Sequence, residues 1–151
     1  MDLGGLLERD RDAIVGEAVT AMHRADLRHY RESGAALSRV RLAALFDVTA
    51  TSIAGRTLMP IERHAESIAH ERFHSGFDLG EVQTAFNVLE EAIWKHIERD
   101  IPAPELGRAL ALVSTVLGAG KDHLARAYVE QATQTQVPAL DMRALFRAPK
   151  E

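Results

Sequence analysis

Apolar residues recur every three or four positions along most of the chain, which is the spacing of one face of an α-helix. The sequence has no convincing run of alternating apolar and polar residues, and its β-branched residues are scattered. We therefore predict an all-α fold. Five main helices are predicted, over about residues 6–30, 37–54, 60–75, 79–99 and 104–133.

The best-defined helix boundary lies in the segment SGFDLGEV. Gly76 suits the left-handed position that follows a helix end. Asp78 and Glu81 have the spacing of a capping box, in which each side chain accepts from a free N–H group of the next helix. Phe77 and Val82 flank this cap at the spacing of a hydrophobic staple. We predict a sharp turn here, with the third and fourth helices forming a hairpin or corner.

Composition narrows the class of protein. With 151 residues, 46% of them hydrophobic, the chain suits one folded domain. A net charge of -4 argues against a nucleic-acid binder, which needs a basic face. The absence of cysteine excludes disulfides, thiolate metal sites and cysteine nucleophiles, and fits a reducing cytoplasm. The N-terminus MDLGGLLERDRD is not a signal peptide, and no apolar run approaches the ~20 residues that span a membrane.

The motif HERFH at residues 70–74 matches the zinc signature H-E-x-x-H of many metalloproteases. Residues of a helix advance by about 100° each, so His70 and His74 lie nearly opposite the apolar stripe that contains Ile61 and Ala65. A zinc hydrolase needs both histidines in a buried cleft, together with a third ligand. We therefore interpret them as surface histidines and keep a zinc-dependent hydrolase as a less favoured alternative.

Seven histidines also allow a haem-binding, globin-type sensor as an alternative. His96 lies on the apolar side of its predicted helix, and His64 and His123 lie near stripe edges. We favour histidines at interfaces or core edges with hydrogen-bond partners, and we predict no cofactor.

Three further residues are candidates for a helix interface. Gly118 and Gly120 lie in the middle of the last predicted helix, where they permit a close helix approach or a bend. Trp94 lies off the main apolar stripe of its helix. It covers either a dimer contact or the N-terminal helix, and the sequence leaves both open.

The segment RHAESIAHERFHSGFDLGEVQTAFNVLEEAIWKHI resembles the N-terminal domain of RsbR-type regulators, the RsbT co-antagonist (RsbRD) N-terminal family. The resemblance lies in a turn of the form R-F-x-x-G-F/Y-x-L-x-E-V, followed by a helix with a leucine, a small residue and an aliphatic residue. It extends over about residues 5–133. The residues that carry it are Arg72, Phe73, Gly76, Phe77, Leu79, Glu81, Val82, Leu89, Ala92 and Ile93.

The resemblance implies a globin-like helical fold without haem, usually dimeric, placed before an output domain in stress-signalling proteins and some sensor kinases. It supplies no catalytic residues. We therefore predict a non-enzymatic, cytoplasmic sensor-like domain over residues 1–133 and a tail or linker remnant over 134–151. Its expected partners are a second copy, a regulatory protein or an unknown small ligand, and neither nucleic acid nor membrane.

Three points stay open at this stage. No output domain follows within the 151 residues, so the chain is either a free-standing sensor or adaptor or part of a longer protein. A purely structural dimerisation module is a further alternative. The expected mechanism is a small shift of helix packing at the dimer interface, passed along the last helix.

Overall fold

The computed structural model describes residues 1–139, and within that range it is built from helices without a strand. The all-α prediction is therefore confirmed. The helices in chain order are α1 (Leu3–Ala25), α2 (Arg28–Ser33), α3 (Ala35–Gly55), α4 (Met59–His74), α5 (Leu79–Asp100) and α6 (Ala103–Ala139).

The first predicted helix is in fact two. Asp2 caps α1, since its Oδ1 accepts from the Gly5 amide at 2.8 Å. At the other end Asp26 adopts a left-handed conformation with φ of 49°, and its amide donates to the His23 carbonyl. Aspartate tolerates this conformation better than most residues do, so the chain turns here and restarts as α2. A single helix over residues 6–30 was therefore wrong.

Helices α1, α3, α4, α5 and α6 enclose one continuous apolar core. Helix α4 packs on α6, and α1 packs on both α3 and α5. The apolar face predicted for α5 is confirmed, because every one of its five residues is almost fully buried. They are Val82, Phe86, Leu89, Ile93 and Ile97.

Helix α6 crosses the bundle at close range. A Cβ atom added to Gly120 would lie 2.8 Å from Cε2 of Phe86 and 2.9 Å from Cγ1 of Ile61. The predicted close helix approach is therefore found, but within one chain. Gly120 is buried against Phe86 of α5 and Ile61 of α4. A Cβ at Gly118 would meet no atom within 4 Å, and Trp94 is 38% exposed, so both stay interface predictions.

The last helix is longer than predicted. It continues past residue 133 and is described as far as Ala139. The rest of the predicted tail, from residue 140 onward, lies outside the described residues. Among the helices of the described range, none is long and apolar enough to cross a membrane.

Candidate functional site

A cavity of about 260 Å³ lies where α2, α3, α4 and α5 meet. Five side chains bring polar groups to it: Tyr30 from α2, Arg41 from α3, and His64, Glu71 and Arg72 from α4. The rest of its wall is apolar. That wall consists of Leu37, Val40, Leu42, Ala44, Leu45, Ile68, Val82, Ala85 and Phe86.

Arg72 is the most unusual of these groups, because only 5% of it is exposed. Its Nε and Nη1 atoms have no hydrogen-bond partner. Nη1 lies 2.6 Å from Oε1 of Glu71, which satisfies the distance of an ion pair but not the direction of a hydrogen bond. The Glu71 side chain is itself 60% exposed. A buried charge that lacks hydrogen bonds is costly, so Arg72 is only partly compensated within the fold.

A second guanidinium, that of Arg41, lies on the same side of the bundle. Its Cζ is 5.3 Å from the centroid of the Phe77 ring and 6.0 Å from that of Tyr30. The Cζ of Arg72 lies 5.8 Å from the same Phe77 ring. The negative faces of these aromatic rings offset part of the positive charge through cation–π contacts.

The titratable groups of the cavity respond to burial and to this positive charge. Burial lowers the pKa of Arg41, and the charge of Arg72 lowers it further. Burial and then Arg72 lower the pKa of His64 in the same way. Burial raises the pKa of Tyr30, and nearby Arg72 opposes that rise. Burial and the charge of Arg72 therefore act together on the groups that line this cavity.

The turn after α4 differs in part from its predicted capping box. Gly76 has the expected left-handed φ of 85°, and Asp78 stands at the N-cap of α5. The Asp78 side chain, however, makes no capping hydrogen bond. The Glu81 carboxylate is also used elsewhere, since Oε1 lies 2.7 Å from Nδ1 of His29 and Oε2 accepts from the His29 amide. A partner from α2 therefore takes the carboxylate that the capping box required.

Two contacts connect this region to α6. The Tyr128 hydroxyl donates to the Phe77 carbonyl at 3.2 Å, which ties the turn to the last helix. Phe86, which lines the cavity, sits against Gly120 without room for a methyl group between them. The turn at Phe77 and the cavity residue Phe86 are therefore both in direct contact with α6.

The histidines of HERFH lie where helix geometry predicts them. His70 and His74 are exposed, and their ring centroids are 4.5 Å apart. Within residues 1–139 no group of three or more histidine, aspartate or glutamate side chains is arranged to hold a metal ion.

The haem candidates His96 and His123 have the hydrogen-bond partners that we favoured for them. Nδ1 of buried His96 lies 2.8 Å from Oδ2 of Asp10, and Nε2 lies 3.0 Å from Oε1 of Glu17. The two ring nitrogens of His123 likewise face the carboxylates of Glu62 and Glu66. Neither histidine offers a free nitrogen for iron. The third candidate, His64, lines the cavity beside Arg72.

Sequence reasoning missed the cavity, although a signal for it was present. Arg72 follows Ile61 by eleven residues, which is about three helical turns and leaves the two only about 20° apart around α4. An arginine in the centre of an apolar stripe predicts a buried charge. Arg41 carried no comparable signal, because its place in the cavity depends on how α3 packs on α4.

The family of the chain can be assigned by comparison. A model of the RsbT co-antagonist protein RsbRD N-terminal domain matches residues 11–140, which is most of the chain. The chain belongs to this family. The resemblance seen in the sequence is thereby confirmed, and membership implies a regulatory role in stress signalling. A search of curated proteins found no significant match, and neither did a search of solved structures.

In this RsbRD N-terminal domain, residues of the turn motif supply the buried charge and one of its contacts. Arg72 supplies the charge, and the Phe77 ring lies against it. Glu81 joins the start of α5 to α2 through His29. Two residues of the turn motif, Arg72 and Val82, thus line the candidate site.

Proposed function

We propose that this domain is a non-enzymatic sensory or regulatory module of bacterial stress or two-component-type signalling. It works in the cytoplasm as a homodimer with a globin-like fold that carries no haem. Binding of a ligand or a regulatory protein changes its helix packing, and the dimer passes that change on.

The observation that carries this proposal is buried Arg72 in a cavity whose wall is mostly apolar. Two of its nitrogen atoms lack hydrogen bonds within the fold, which lowers the stability of the folded domain. Proteins tolerate such a group where binding or catalysis requires it, because function often demands locally unfavourable arrangements. The wall of this cavity contains no serine, threonine or cysteine that could act as a nucleophile, which favours binding over catalysis.

The contacts of α6 support a route from the cavity to a dimer interface. Phe86 and Phe77 reach α6 through Gly120 and Tyr128. Gly118 and Val129 lie on another face of α6. They are eleven residues apart, which is about three helical turns and leaves them only about 20° apart around the helix axis. Val129 is 64% exposed, and a Cβ at Gly118 would meet open space. We place the contact with the second copy on this face of α6.

Native mass spectrometry of the protein without a histidine tag tests the proposal. We expect a species of twice the chain mass that carries no metal or haem. The Val129→Glu variant should shift the protein towards monomer, because it buries a charge at the contact. Met59→Glu is the matched control, since Met59 is also an exposed apolar residue, at 53%, but it lies at the start of α4 and does not line the cavity. A monomeric protein, or stoichiometric zinc or haem on each chain, contradicts the proposal.

A further inference from the structure

We infer that the cavity beside Arg72 binds a small organic monocarboxylate with an apolar body, of about the size of hexanoate. This inference rests on the proposed sensory function and adds the chemical class of the ligand. It follows from three properties of the cavity, which are its unpartnered donors, its net charge, and its apolar wall and size.

The unpartnered donors call for an anion. Arg72 is 5% exposed, and its Nε and Nη1 atoms make no hydrogen bond. Nη1 lies 2.6 Å from Oε1 of Glu71, but that carboxylate is 60% exposed and pairs with Arg72 without a hydrogen bond. The buried carboxylate closest to the turn, that of Glu81, is occupied by His29. A carboxylate in the cavity accepts from Arg72 in a charge-assisted hydrogen bond, which is stronger than one between neutral groups.

The charge of the wall favours a single negative charge on the ligand. Arg41 and Arg72 contribute two positive charges, and Glu71 contributes one negative charge. Burial and the charge of Arg72 both lower the pKa of His64, which disfavours a third positive charge there. One carboxylate therefore balances the wall, whereas a dianion overcompensates it.

The apolar wall and the volume favour an organic body over an inorganic ion. Beyond the polar groups, the ligand meets Leu42, Leu45, Ile68 and Phe86, where a methylene chain is stabilised by roughly 0.8 kcal/mol per buried group. The volume of about 260 Å³ exceeds the ~150 Å³ that accommodates benzene and falls below the ~300 Å³ at which drug-sized sites begin. A carboxylate of about six carbon atoms fits between these limits.

A titration of the ¹⁵N-labelled dimer with hexanoate at pH 7, followed by NMR, tests the inference. We expect saturable shifts of the backbone amides around Arg72 and Phe86. Hexanamide has the same shape without the charge, and acetate has the charge without the chain. Inorganic phosphate supplies an anion that has neither a carboxylate nor an apolar chain. All three should bind at least about tenfold more weakly, since each lacks one of the required features.

Variants test whether Arg72 recognises the carboxylate. Arg72→Gln should weaken hexanoate binding about 10- to 100-fold, and Arg41→Gln should weaken it less. Arg63→Gln is the matched control, because it removes an exposed arginine from the same helix and should leave binding unchanged. If Arg72→Gln does not fold, Arg41→Gln measured against Arg63→Gln still decides the point.

Each other outcome overturns the inference. Equal binding of hexanamide removes the role of charge, and equal binding of acetate or phosphate removes the role of the apolar wall. No binding of hexanoate to a dimeric protein refutes the ligand class but leaves the proposed function standing. A monomeric protein refutes the proposed function itself, so the two failures are distinguishable.

Discussion

At the scale of single residues, Arg72 shows how far the spacing of residues along a helix predicts whether a side chain is buried or exposed. The approximately 100° step that places His70 and His74 in solvent also places Arg72 in the core. The first conclusion was predicted and the second was missed, because the turn motif accounted for Arg72 without reference to its burial. The partners of Glu81 were not predictable, since His29 reaches it from another helix.

Replacing Arg72 by methionine should not destabilise the folded domain when no ligand is added. The variant fills a similar volume and removes two buried donors without partners. We expect a free energy of unfolding within about 1 kcal/mol of the wild-type value, or above it. Urea denaturation measures this. A loss of more than about 2 kcal/mol would mean that Arg72 is needed for the fold rather than for binding.

His64 should titrate below the 6.5 of an unperturbed histidine. Its neutral form is favoured in the folded state, so its stabilising contribution is present above pH 6.5 and is lost as the pH falls through the folded pKa. In Arg72→Gln the pKa should rise but stay below 6.5, since burial is the larger cause and remains. NMR titration of the imidazole protons measures this.

The control for His64 is Arg108→Gln, which removes an exposed arginine that does not line the cavity. It should leave the titration of His64 unchanged. If both variants changed the pKa of His64 equally, the net charge of the protein, and not the nearby charge of Arg72, would set that pKa.

At the scale of helices, the sequence predicted the elements better than their ends. The apolar stripe of α5 and the left-handed Gly76 were both correct. The break at Asp26 was missed, because the apolar pattern of α1 runs on towards Tyr30 while a single aspartate turns the chain. Periodicity reports which face is buried, and it is less sensitive to one residue in a left-handed conformation.

Replacing each of the two mid-helix glycines of α6 by alanine should change the stability of the domain in opposite directions. Gly120→Ala places a methyl group within 3 Å of Phe86 and Ile61, so we expect a loss of about 1–3 kcal/mol from overpacking. Gly118→Ala meets open space in the monomer and should gain up to about 1 kcal/mol from helix propensity. Thermal unfolding of both variants measures the difference. Equal effects would contradict the tight contact between α6 and the cavity wall.

At the scale of the whole molecule, the chain connects a charged cavity to its longest helix. The cavity is formed by α2, α3, α4 and α5, and α6 contacts it through Phe86 and through the turn at Phe77. None of this long-range arrangement was predictable from periodicity, because it depends on which helices are neighbours. The family membership and the all-α fold were predictable from the turn motif and the apolar spacing.

The central claim is that occupation of the cavity changes how α6 is arranged in a dimer. Because the chain has no cysteine, Glu130→Cys places one spin label on the exposed surface of α6 in each protomer. Double electron–electron resonance then measures the distance between the two labels. We predict that saturating hexanoate changes this distance in the otherwise unchanged protein but not when Arg72→Gln is added. Identical distance distributions with and without bound hexanoate would contradict the claim.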